Sequence, residues 1–196
     1  FERDICRKLS LWWSEGKRDD LFWRTSNSGG RAALRKRKGV QTAGHYGDIC
    51  STHEDSKAFT DNITLEIKRG YPKASLHDLI DGGQGAVIWK DWIRQARRAA
   101  RASGTSWMII HKRDRKEEVV VFPRTLIPVL APFGSLLKPE GFFQIHVDLS
   151  SVGLVICGCL LNEWFKMFSR RDVENQGATK CVQQGSSFAV RPAAST

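Results

Sequence analysis

A chain of 196 residues and 22.1 kDa has room for one domain with modest additions. Hydrophobic residues at 41% and charged residues at 27% match an ordinary globular protein, which excludes a disordered or fibrous class. The 31 Lys and Arg against 21 Asp and Glu give a net charge of +10, so the expected partners are polyanions, either nucleic acid or an acidic membrane surface.

Five Cys with no CxxC pair point to neither a disulfide framework nor a zinc site. Cys157 and Cys159 fall in the longest apolar stretch, 152–161, and read as buried thiols in a reducing compartment. That stretch is far below the ~20 residues of a membrane span, so no membrane is expected among the partners. No signal-peptide or lipidation pattern is visible, and a cytoplasmic location in a prokaryotic or phage-infected cell is expected.

In chain order, residues 2–14 read as a helix, with Ile5, Leu9 and Trp12 on one stripe and Gly16 as the stop. Residues 21–25 read as a short strand that runs into the turn-rich 26–30. Residues 31–38 hold a basic run, either a solvated loop or a phosphate-contacting one. Residues 45–51 and 62–69 are candidate strands, and the polar 52–61 between them reads as a hairpin loop. In the second strand Ile63, Leu65 and Ile67 share one face and Thr64, Glu66 and Lys68 the other. Residues 70–85 are turn-rich, with a helical piece near 76–80. Residues 89–102 form a helix with Trp89, Trp92, Ile93 and Ala96 on its apolar stripe, stopped by Gly104. Strands follow at 107–110 and 118–122. The expected class is α/β, a mixed sheet flanked by helices. Residues 124–184 are expected to form a C-terminal extension on a 1–123 core, and 185–196, rich in Ser and Ala, a loose tail.

The chemistry gathers at Gly47-Asp48 on one strand and Glu66-Ile67-Lys68 on the next. Residues two apart on a strand face the same way, so Glu66 and Lys68 project into one cleft. Phosphodiester hydrolysis needs an activated water, a neutralised phosphate and a stabilised leaving oxygen. A divalent cation held by carboxylates supplies all three, and hard oxygen ligands select Mg²⁺ or Mn²⁺. Asp48 and Glu66 are the candidate ligands, with the Ile67 carbonyl as a third. Lys68 either orients the nucleophile or stabilises the developing charge.

These pieces resemble the PD-(D/E)XK nuclease superfamily, with its restriction-endonuclease-like fold, and most of all its archaeal-type Holliday junction resolvases and related phage endonucleases. The Glu2-Arg3 pair, the Arg24-Thr25-Ser26-Asn27-Ser28-Gly29 segment, Gly47-Asp48-Ile49 and Leu65-Glu66-Ile67-Lys68 carry the resemblance, which spans about residues 1–122. It implies an α-β-β-β-α-β core, metal-dependent DNA cleavage and a homodimer. It further implies that Glu2 positions metal or water and that Ser28 contacts the scissile region. Two departures stand out: Gly47 replaces the Pro of the superfamily's name, and the spacer from Asp48 to Glu66 is long, as an extended hairpin would make it.

Candidate DNA-contacting residues are Arg24, Ser28, Arg31, Arg35, Lys36, Arg37 and Lys38, with Gln95 on the second long helix facing either the active site or solvent. The five His are scattered without metal spacing. The seven Trp offer stacking surfaces for unpaired bases, although Trp12, Trp89 and Trp92 lie on apolar stripes and read as core. The functional expectation is a metal-dependent DNA endonuclease that grips backbone and selects branched DNA. The rivals are a sequence-specific restriction-type enzyme and a DNA-binding protein that does not cut.

Overall fold

The computed structural model describes residues 1–25, 46–127, 142–149, 153–171 and 173–174. Helix α1, Glu2–Trp13, buries Ile5, Cys6, Leu9 and Trp13 along one stripe. Its exit turn passes through Glu15 and Gly16, both at positive φ. Strand β1, Phe22–Arg24, pairs antiparallel with β2, Ile49–Ser51, as a two-stranded ribbon. The strand expected over 45–51 is therefore short, and residue 45 lies outside the described residues.

The hairpin loop expected at 52–61 is not there. A 3-10 turn at Glu54–Ser56 leads into helix α2, Lys57–Asn62. Polar composition hid it, but three anchors explain it. The His53 ring accepts from the Asp55 amide at the entry, at 3.3 Å. The Trp13 indole donates to the Asp55 carbonyl at 2.8 Å, and Ser56 Oγ donates to the Leu21 carbonyl at 2.8 Å. Phe59 then drops into a cluster with Trp12, Trp13 and Phe22, edge on to each.

Strand β3, Ile63–Arg69, follows directly and is buried on both faces as far as Ile67. Helix α3, Asp78–Asp81, occupies the turn-rich segment. Helix α4 spans Gly85–Ser103 and begins four residues before the apolar stripe does. The Asp78 carboxylate accepts from the Gly85 amide at 2.6 Å, which places a negative charge at the positive end of the helix dipole. Gly104, at φ +71, ends the helix in the left-handed conformation. Strands β4, Ser106–Lys112, and β5, Glu118–Pro123, extend the expected segments by a residue or two.

The residues after 123, which the sequence pattern left unordered, add two more strands and a helix: β6, Phe143–Asp148, β7, Gly153–Leu160, and α5, Leu161–Met167. The sheet order is β3-β4-β5-β7-β6. β3 and β4 are parallel and the other pairs antiparallel. β5 ends at Pro123, and its hydrogen-bonded neighbour β7 comes from the later segment, so the sheet runs unbroken across that point. Expected and observed order agree as α1-β1-β2-β3-α4-β4-β5; α3 overlaps the helical piece expected near 76–80, and α2 is inserted.

Three layers result. One face of the sheet, with Leu65, Ile110, Phe122 and Cys159, packs on α1, α2 and α5. The other, with Ile109, Val121 and Ile156, packs on Trp89, Ile93 and Ala96 of α4. Cys157 and Cys159 are free thiols in the core, and burial pushes Cys159 up to about 12. Among the described residues no helix is long and apolar enough to cross a membrane.

His111 is the odd member of the α4 face. It is 4% exposed, packs against the Trp89 and Trp92 rings at 5.2 and 5.1 Å, and its Nε2 has no hydrogen-bond partner among the described residues. Burial, assisted by the charge of Arg113, depresses its pKa from 6.5 to about 4. The folded protein therefore binds fewer protons than the unfolded chain between these values. The neutral ring's contribution is complete above pH 6.5 and is lost as the pH falls through 4. Urea midpoints of wild type and His111→Phe should diverge over that window. The wild type should lose on the order of 1–3 kcal/mol more, a range discounted for screening at the solvent-facing cavity His111 lines. Parallel pH profiles would show that the imidazole does not titrate this way.

Candidate active site

The site forms on the outer edge of β3. One edge of this strand is taken by the parallel ladder to β4. The other presents Leu65 and Ile67, whose N–H and C=O groups point the same way because alternate residues of a strand share an edge. Residue 48 satisfies that edge twice. Its amide donates to the Leu65 carbonyl at 2.8 Å, and its carboxylate Oδ2 accepts from the Ile67 amide at 2.7 Å. The Ile67 carbonyl lies on the same edge.

Gly47 makes this approach possible. It sits at φ +84, and a Cβ there would stand 2.5 Å from the Leu65 carbonyl oxygen. Proline, fixed near −65°, does not fit such a turn, which accounts for the departure from the superfamily's Pro. Thr25 holds the turn from behind. Its Oγ1 donates to the Gly47 carbonyl at 2.8 Å and its amide to the Asp48 carbonyl at 2.9 Å. The sequence places Thr25 in the Arg24–Gly29 segment but assigns it no role, since only the register of the ribbon brings it to Gly47.

Glu66 and Lys68 project together from β3 toward α4, as their spacing requires. Lys68 Nζ stands 2.9 Å from Glu66 Oε2 and 3.1 Å from Gln95 Oε1. Gln95 Nε2 donates to the same Glu66 oxygen at 2.7 Å. The question left open for Gln95 is thus answered: it bridges the carboxylate and the ammonium. The Lys68 side chain is only 11% exposed, so the pair is shielded from bulk screening.

Charge in this pocket is out of balance. Burial pushes the Asp48 carboxyl above its usual range, and the Glu2 charge adds to that; the Ile67 amide and Lys68 oppose it. Burial also raises Glu66, reinforced by Asp48 and opposed by Lys68. Glu2 lies in the first turn of α1.

Among the described residues, the hydrogen bonds that orient the two carboxylates use Asp48 Oδ2 and Glu66 Oε2, and Asp48 Oδ1 and Glu66 Oε1 face no such partner there. Two buried carboxylates, each raised by burial and Glu66 further by the charge of Asp48, beside a single ammonium, suit a hard divalent cation with oxygen donors. Among the described residues no group of three or more His, Cys, Asp or Glu side chains converges as a metal cage. Two carboxylates, a backbone carbonyl and water would complete the set, a common pattern for Mg²⁺.

Of the candidate DNA contacts, Arg24 is exposed on β1 beside this site. Ser28, Arg31, Arg35, Lys36, Arg37 and Lys38 lie outside the described residues. Arg98 is exposed on α4 one turn beyond Gln95 and so on the same stripe. Substituting Gly47→Ala tests the turn. Urea denaturation should show a loss of about 1–3 kcal/mol, because an L side chain is strained there and meets β3. An unchanged midpoint would mean that the close approach to Leu65 is not required.

The family model described as "Phage putative PDDEXK endonuclease" matches residues 1–175, past residue 122 and through the strands β6 and β7. No curated protein matches the sequence. Among solved structures, Hjc from Archaeoglobus fulgidus, a Holliday junction resolvase from an archaeal hyperthermophile, is similar over 84% of this chain and 99% of that one, with 15% identity and a TM-score of 0.32. With the match extending over nearly the whole sequence, the chain belongs to the phage PDDEXK endonuclease family.

Proposed function

We propose that this protein is a Mg²⁺- or Mn²⁺-dependent endonuclease that hydrolyses DNA and selects branched structures. The observation that carries the reading is the convergence at the β3 edge: Asp48 locked by the Ile67 amide, next to Glu66 and Lys68 bridged by Gln95.

Asp48 and Glu66 would hold the cation, with the Ile67 carbonyl on the same edge as a further ligand. When bound, the cation supplies the activation of water and the neutralisation of phosphate charge that the reaction needs. Lys68 is near enough to Glu66 to share the space of an incoming phosphate, where its ammonium donates to a phosphate oxygen or to the attacking water. Gln95 keeps Glu66 and Lys68 in one arrangement, so little reorganisation is left for the reaction itself. Glu2 adds negative charge that strengthens cation binding at Asp48. Arg24, Arg98 and the basic run 31–38 meet the DNA backbone. Contacts of this kind fix position without reading bases, which suits selection by shape. A homodimer belongs to the proposal, because a branch cut on both strands needs two such sites.

The experiment is cleavage of a labelled four-way junction and a matched linear duplex, each with Mg²⁺, Mn²⁺ or EDTA. Wild type should cut only with metal and prefer the junction. Glu66→Gln and Lys68→Met should each lose about 10²- to 10³-fold. Cutting that survives EDTA or Glu66→Gln would overturn the assignment of the site. Equal rates on both substrates would remove the branch selectivity, and metal-independent binding without any cutting would leave a DNA-binding protein.

A further inference from the structure

The chain has seven Trp, all among the described residues, and the fold treats one of them differently. Trp13, Trp89, Trp92, Trp107 and Trp164 are buried, and Trp12 is partly buried with its indole donating to Phe165 and Phe168 carbonyls. Trp23, at the centre of β1, is 48% exposed. An indole buries more apolar area than almost any side chain, so leaving one in water forgoes stabilisation the rest of this chain uses.

Its position is specific. Trp23 is opposite Cys50 in the ribbon, and the hydrogen bond from the Thr25 amide to the Asp48 carbonyl continues the same register by two residues. Directly paired residues share a face, as do residues two apart, so Trp23 lies on the face of the ribbon that carries Asp48, about 7 Å along the strand. The N-terminal turn of α1 borders the same region: Glu2 acts on Asp48, and the Arg3 guanidinium sits over the Trp23 ring, 5.8 Å from its centre. This cation–π contact holds the indole from one side, and about half of the side chain stays exposed on the face of the ribbon that carries Asp48.

We propose that Trp23 is a stacking platform for an unpaired DNA base next to the scissile phosphate. This rests on the nuclease reading and names its substrate class: DNA with a single-stranded segment or opened base step at the cut, rather than continuous duplex. A flat π surface backed by a guanidinium accepts any base, and the base must be out of its own stack to reach it. Trp23 is thus a specificity residue, separate from the cation site.

The test uses 2-aminopurine, whose fluorescence falls when it stacks, placed in a short single-stranded gap within a duplex. A fully paired duplex of the same sequence is the control. Binding is measured in EDTA, so that no cutting occurs, with wild type, Trp23→Ala and Trp23→Phe. Wild type should quench the probe and prefer the gapped DNA. Trp23→Ala should lose the quenching and about tenfold of the preference, with affinity for the paired duplex unchanged, while Trp23→Phe retains most of both. Preference and quenching that persist in Trp23→Ala, or equal losses on both DNAs, would overturn the proposal. Wild type binding neither DNA would overturn it too. Metal-dependent cleavage by the same wild-type sample then decides separately whether the nuclease reading stands.

Discussion

The bond from the Ile67 amide to the Asp48 carboxylate is the constraint on which the site depends. β3 is buried on both faces, and its outer edge would otherwise leave backbone groups without partners. The Gly47-Asp48 turn closes that edge with one main-chain and one side-chain hydrogen bond. The same contact that satisfies the backbone brings a carboxylate against Glu66. Fold and charge arrangement are therefore one event, and Gly47, with its positive φ and its approach to Leu65, is where the two meet.

The arrangement has a cost that function offsets. Asp48 and Glu66 are both pushed up by burial, and Lys68 is one positive charge against them. Nothing in packing calls for two carboxylates at this edge; apolar residues of similar size would be more stable there. Helix α4 stabilises the other side of the arrangement. Trp89, Ile93 and Ala96 anchor it on the sheet, and this rigid seat lets Gln95 reach both Glu66 and Lys68. Glu66, Lys68 and Gln95 are thus mounted on two buried elements, and the Gly47-Asp48 turn brings Asp48 to them.

Much of this was legible in the sequence because periodicity and spacing encode it. The stripe of α1, the alternation of β3 and the Trp-rich face of α4 each reflect burial in a three-layer fold. The Glu66-x-Lys68 spacing is a property of any strand. What escaped is what tertiary contacts decide. α2 has six residues, too short for a helical period to show, and Phe59 acquires its meaning only from Trp13 and Phe22. α4 starts early because Asp78 reaches back from α3. β7 joins β5 across a long stretch of chain and carries β6 with it, and no local pattern records the β5–β7 pairing. Thr25 supports Gly47 only through strand register.

The most direct test of the account is the binding of Mn²⁺ to the protein without DNA, followed by titration calorimetry and Mn²⁺ spin resonance. The account predicts a bound ion that is lost in Asp48→Asn and in Glu66→Gln, while both variants keep the wild-type circular dichroism. Unchanged Mn²⁺ binding in both variants would contradict it, and would place the cation, and the chemistry with it, away from the edge of β3.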